Sequence, residues 1–244
     1  MTGRKNMNNN RFSIKDTINL TLIYFFGLQL VIPVGVGLVV GLLTIVFARP
    51  DLAENLVLLN FLVFTLGTAW VVYYTRNKLK VEWIKFNASL IGNVTKVLRN
   101  YVFSMIAMIA INMLFLYVFK LDQPAANQAG IEEMLSSMPL MMMIVTVIYA
   151  PVLEEIVFRG GLYLGLKEKT GEKSATLISA LVFGAIHVLP HLNMSNLPLE
   201  LLFLIPYTCL GYFMVKSVRD TKSLMGGILF HFINNLLATL TVLL

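Results

Sequence analysis

The stretch Ala150-Pro-Val-Leu-Glu-Glu-Ile-Val-Phe-Arg-Gly-Gly161 places Glu154, Glu155 and Arg159 inside a long apolar run, Met138–Leu166. A helix needs roughly 20 residues to cross a bilayer core of about 30 Å, and this run exceeds that. A charge near the bilayer centre costs at least about 2.5–3.5 kcal/mol, so three together need a reason. One reading ends the span at Glu154 and leaves the charges in the interface. Ile156–Leu166 continues apolar as far as Lys167, which favours the intramembrane reading. Glu155 and Arg159 are then four residues apart with Glu first, the favourable order for an ion pair on one helix face. Glu154 points about 100° away and lacks that partner.

Working outward, six more apolar stretches appear: Leu20–Phe47, Leu56–Tyr74, Tyr101–Phe119, Ala175–Leu189, Leu199–Val215 and Leu224–Leu244. The 244 residues are 57% apolar and only 13% charged. Soluble domains run nearer a quarter charged, so the balance excludes disorder and a nucleic-acid module and argues against a compact aqueous enzyme. The expected fold is all-α, a polytopic membrane bundle of seven to eight helices. A single cysteine, Cys209, excludes an internal disulfide and a cysteine-based metal site; its place in the sixth span reads as packing. The first run is too long for a cleaved signal and no small-residue cleavage site follows it, so it is expected to stay as an anchor.

Basic residues resist translocation and collect on the cytoplasmic side. With the N-terminus cytoplasmic, the inner segments hold 16 of the 19 Lys and Arg residues. They fall in four groups: Arg4, Lys5, Arg11, Lys15; Arg76, Lys78, Lys80, Lys85, Lys96, Arg99; Lys167, Lys169, Lys173; and Lys216, Arg219, Lys222. Only Arg49 and Lys120 fall outside, and Arg159 within a span. The C-terminus is then expected outside. The net charge of +6 thus reflects topology rather than an acidic partner.

Trp83, Phe86, Leu90, Val94 and Leu98 recur at helical spacing between lysines, which predicts an amphipathic helix near residues 81–98 on the cytoplasmic surface. The alternative is a solvated connector. Asp122–Ser137 reads as the longest outer loop. The chain divides into residues 1–135, N-terminal spans with that surface helix, and 136–244, a helical core carrying the chemistry, within one integrated membrane domain. The Asn87 and Asn93 glycan-acceptor patterns would be unused on the cytoplasmic side.

All three histidines lie in the C-terminal third: His187 in the fifth span, His231 in the seventh, and His191 beyond Pro190, where it is expected to leave the helix. Asn235 follows His231 by one helical turn. At 1.5 Å per residue, Glu154 and His187 each lie about 20 Å from the inner surface, His231 about 12 Å and Asn235 about 18 Å. Three helices therefore bring two carboxylates, two imidazoles and an amide to similar depth. Single buried polar residues often serve only as glue between helices. A carboxylate in a low-dielectric site can instead act as a general base, Glu154 taking a proton from a water held also by His187. His231 and Asn235 could donate to the developing oxyanion, a contribution of about 3–4 kcal/mol per donor. The same Glu154, His187 and His231 could instead bind Zn²⁺. No serine or cysteine stands beside a histidine at this depth, which disfavours a covalent route.

Glu154-Glu155-x-x-x-Arg159, Phe183-x-x-x-His187 and His231-x-x-x-Asn235, in that order and on separate spans, resemble the three motifs of the CAAX-protease and bacteriocin-processing (CPBP, or Abi) family of intramembrane proteases. The flanking Phe158-Arg159-Gly160 and Ser179 fit as well, over Tyr149–Leu237. The resemblance implies an eight-helix-type core and a catalytic set of Glu154, His187, His231 and Asn235, with Glu155 and Arg159 in support. It leaves open a metal-free glutamate mechanism, slightly favoured, or a Zn²⁺ metalloprotease. It implies a hydrophobic, membrane-anchored or exported peptide as substrate, in pheromone or bacteriocin maturation, immunity or regulation. The partners are then that peptide and the lipid bilayer, with no nucleic acid. The rivals are a non-proteolytic scaffold that keeps the fold and an ion-coupled transporter, against which the lack of an internal repeat counts.

Overall fold

Apolar side chains leave water whether they meet protein or lipid, but a backbone inside a bilayer must satisfy its own hydrogen bonds, which favours helices. The computed structural model describes residues 10–48, 56–121, 123–192 and 197–244, and there the chain is almost wholly helical, without strands. The expectations on Arg4, Lys5, Arg49 and Asp122 fall outside the described residues. Eight helices follow one another. They are α1 (Ile14–Val46), α2 (Leu56–Asn87), α3 (Leu90–Phe119), α4 (Ala126–Ser137), α5 (Pro139–Thr170), α6 (Glu172–Val188), α7 (Leu197–Thr221, interrupted at Phe203) and α8 (Leu224–Leu243). All but α4 are long and apolar enough to cross a membrane. The chain is a multi-pass membrane protein.

Two expectations about connections change. No separate surface helix forms near 81–98. Trp83 and Phe86 belong to the end of α2 and Leu90, Val94 and Leu98 to the start of α3, with the bend at Ala88–Ser89. The periodicity is real, but it marks the adjoining ends of two long helices: Phe86 packs into the core and Trp83 stays exposed. The segment expected as an outer loop is also not a plain loop, because Ala126–Ser137 forms α4. The eighth helix therefore lies between the third and fourth spans.

α5 is the central helix. Half of its most apolar stretch is buried, against 6% of that of α1. α1, α6 and α8 pack around it. The Thr17 hydroxyl of α1 donates to the Gly161 carbonyl at 2.7 Å. A side chain at Gly160 would meet the Phe12 ring at 2.6 Å, so the Gly-Gly pair lets α1 close onto α5.

One end of the bundle is tied by polar contacts. Lys78 of α2 pairs with the buried Asp16 of α1. The Glu82 carbonyl accepts from Ser223 Oγ at 2.6 Å, and its carboxylate accepts from the Leu224 backbone N–H at 2.8 Å. Glu82 of α2 thereby satisfies an N–H that the first turn of α8 leaves unpaired. Arg99 and Lys216 meet Asp220 at 2.9 and 2.7 Å. The inner basic residues of the sequence reading that are described here gather at or near this end.

Candidate active site

The charged motif sits where α5 departs from regular α geometry. Residues Ile144–Tyr149 and Glu155–Leu164 form wider π turns, with Ala150–Glu154 between them. Such turns inside α-helices recur at functional sites. They also leave a backbone gap. The Ala150 N–H bonds five residues back to the Val145 carbonyl. The next donor in that register would be Pro151, which has no N–H. The Thr146 carbonyl is therefore left over, and Asn235 Nδ2 of α8 donates to it at 2.8 Å. Asn234 Nδ2 in turn donates to Asn235 Oδ1 at 3.1 Å. With one amide proton on Thr146 and its oxygen occupied, Asn235 keeps one N–H to offer elsewhere.

Glu155 and Arg159 are both fully buried, with Arg159 Nη1 2.8 Å from Glu155 Oε1. The expected ion pair is present. Arg159 Nη2 also donates to the Gly211 carbonyl of α7 at 3.1 Å, and its guanidinium lies 4.4 Å over the Phe183 ring. The same Glu155 Oε1 faces His231 Nδ1 at 3.1 Å. Glu155 thus joins α5 to α8, and Gly227 allows it: an added Cβ there would stand 2.5 Å from Glu155 Oε2.

His187 Nδ1 lies 2.8 Å from the Phe183 carbonyl. A carbonyl only accepts, so Nδ1 carries the proton and Nε2 the lone pair. Nε2 points to Glu154 Oε2 at 3.9 Å. That oxygen is buried and has no hydrogen-bond partner in the protein. The gap is too long for a direct hydrogen bond, yet one water at about 2.8 Å from each atom bridges it comfortably. Tyr207 stacks on His187 with centroids 4.8 Å apart, and Phe183 packs against both imidazoles, at 4.5 Å from His187 and 5.6 Å from His231.

The structure thus brings Glu154, His187, His231 and Asn235 to one cavity of about 270 Å³, while Glu155 and Arg159 form the buried support behind it. A second cavity of about 610 Å³, between α1 and α6, shares Glu154 and His187. A larger groove of about 1040 Å³ between α6 and α7 contains none of these residues. His191 closes the 3₁₀ turn Leu189–His191 after α6, as the Pro190 reading expected.

Neutral His187 and His231 would each offer Nε2 as a metal donor, since each Nδ1 faces an acceptor. Among the described residues, however, no three His, Cys, Asp or Glu side chains are arranged to hold one metal ion. Glu154, His187 and His231 as placed here are not a ready Zn²⁺ donor set.

Sequence reasoning missed Asn127, Tyr207 and Asn234, which line the cavity, and Tyr24 and Gln29, which line the second one. Polar residues within otherwise apolar spans were the available signal for Gln29 and Asn234. Nothing local marks Tyr24 as a neighbour of Glu154.

Two carboxylates, an arginine and two imidazoles thus meet on three helices of a membrane bundle, in the order in which the three motifs run. Residues 136–237 match the family of Type II CAAX prenyl endopeptidases, Rce1-like. The resemblance read from the three motifs therefore holds over that region. YdiL of Bacillus subtilis (strain 168), named as a candidate membrane peptidase, is 33% identical over 119 residues. That match covers 49% of this chain and 44% of the relative, so the chain spans less than half the length of the curated relative it matches. No solved structure matches the chain significantly.

Proposed function

We propose that the protein is a CAAX-protease-like membrane endopeptidase that hydrolyses a peptide bond with a water activated by Glu154 and His187. The observation that carries this reading is the unpartnered, buried Glu154 Oε2, facing the His187 Nε2 lone pair across a water-sized gap.

In this mechanism the bridging water gives one proton to Glu154 while its oxygen attacks the scissile carbonyl carbon. His187 Nε2 accepts a hydrogen bond from the water and aims it. The new oxyanion receives the spare Asn235 N–H. His231 can donate from Nε2 only as an imidazolium, because its Nδ1 proton is given to Glu155; the Glu155 carboxylate is what would support that charge. When the tetrahedral intermediate collapses, the C–N bond breaks and the proton on Glu154 passes to the departing amine. No serine or cysteine takes part. The substrate class is a hydrophobic, membrane-anchored or exported peptide, as in peptide maturation, immunity or regulation. The grouping of basic residues at one end supports an N-terminus in the cytoplasm and a C-terminus outside.

The test compares membrane and secreted peptides between wild type and Glu154→Gln and His187→Ala strains expressing equal protein. Accumulation of an uncut precursor in both variants supports the reading. A full phenotype with both variants makes the protein a scaffold. Metal analysis of the purified protein, with chelator inhibition, tests the metal-free route.

A further inference from the structure

The family match begins at residue 136, yet the first helix reaches the proposed base. Tyr24 of α1 is buried, and its hydroxyl interacts with the Glu154 carboxylate and with the Gln29 side chain. A tyrosine hydroxyl has one proton to give, and an ionised carboxylate only accepts, so that proton goes to Glu154. Gln29 must then donate its amide to the hydroxyl oxygen. Glu154 Oε2, which faces His187, has no hydrogen-bond partner, so Oε1 is the oxygen open to Tyr24.

Local backbone geometry explains how a relay fits inside an apolar helix. Residues Leu22–Val31 form a π segment, in which each N–H reaches five residues back. Tyr24 and Gln29 are five apart and so stand one above the other. In a regular α-helix, five residues would turn Gln29 about 140° away from Tyr24. The ring itself is fixed edge-on by Phe158, at 5.4 Å and 79°, and by Phe25, at 5.3 Å and 83°. Phe158 belongs to the same π segment of α5 that begins at Glu155, so the phenol and the carboxylate are referenced to one piece of backbone. Tyr24, Gln29, Glu154 and His187 share the 610 Å³ cavity between α1 and α6.

We propose that Tyr24, held by Gln29, is a positioning residue that clamps Glu154 Oε1 so that Oε2 faces the water at His187. This rests on the functional reading above and extends the active centre to a helix outside the family region. Tyr24→Phe removes one oxygen and keeps the ring contacts, so it isolates the clamp from packing.

The experiment uses full-length protein purified in detergent and the precursor that accumulates in the Glu154→Gln strain. Tyr24→Phe is expected to lower kcat roughly tenfold or more, with KM within about twofold, because a hydrogen bond to a charged group is lost in turnover and not in substrate binding. Gln29→Leu should lower kcat by less. The double variant should be no worse than Tyr24→Phe, since Gln29 acts only through the hydroxyl. Wild-type kcat in Tyr24→Phe, a change confined to KM, or additive losses in the double variant would each overturn the proposal while leaving the endopeptidase reading intact. An active Glu154→Gln protein would instead remove that reading, and this proposal with it.

Discussion

His231 Nδ1 and Glu155 Oε1 stand 3.1 Å apart, with Arg159 Nη1 on the same oxygen at 2.8 Å. One carboxylate therefore neutralises a buried guanidinium and orients an imidazole from another helix. Glu155→Gln leaves Arg159 buried without its counter-charge. We expect a destabilisation of about 3–5 kcal/mol and loss of turnover, read by thermal unfolding in detergent. Unchanged unfolding would mean that the pair contributes no stability.

Gly227 tests the same junction sterically. Gly227→Ala sets a methyl 2.5 Å from Glu155 Oε2 and 2.9 Å from Val218, both buried. Activity should fall at least tenfold as the His231–Glu155 contact opens. Gly130→Ala, which meets nothing within 4 Å, is the control and should be neutral.

Pro151 and Asn235 form a pair that separates stability from function. Asn235→Ala orphans the Thr146 carbonyl and should cost about 1–3 kcal/mol together with activity. Adding Pro151→Ala supplies a backbone N–H in the π register for that carbonyl. The double variant should regain stability but not turnover. Recovery of turnover would show that Asn235 serves only the backbone.

Glu82→Ala removes the carboxylate that receives the Leu224 N–H at the start of α8. A lost helix cap typically costs about 0.5–2 kcal/mol. Thermal unfolding should show that loss, while protein that remains folded keeps its KM, since Glu82 lies at the tied end away from the cavity.

Orientation is read by labelling. In a Cys209→Ser background, Lys169→Cys and Lys222→Cys should react with an impermeant thiol reagent only after the membrane is opened. Labelling of intact cells at either position would reverse the assigned topology.

The helically spaced run from Trp83 to Leu98 shows where local pattern stops being informative. Its period was correct, but whether one helix or two helix ends produced it depended on the bend at Ala88–Ser89. The ion pair Glu155–Arg159 was legible because both members lie on one helix. Glu154 with His187, and Glu155 with His231, were legible only as groups of similar depth.

By itself, then, the sequence determined the number of apolar spans, the grouping of the basic residues between them and the identity of the buried charges. Those follow from hydropathy and from the cost of moving charge across lipid, both properties of short segments. Tertiary structure decided which atoms meet. It gave Glu155, and not Glu154, to His231; it committed one Asn235 proton to Thr146; and it brought Tyr24 from the first helix to the proposed base. Those contacts depend on how each helix is rotated about its axis. In α1 and α5 the π turns set that rotation, and no count of residues along the chain carries it.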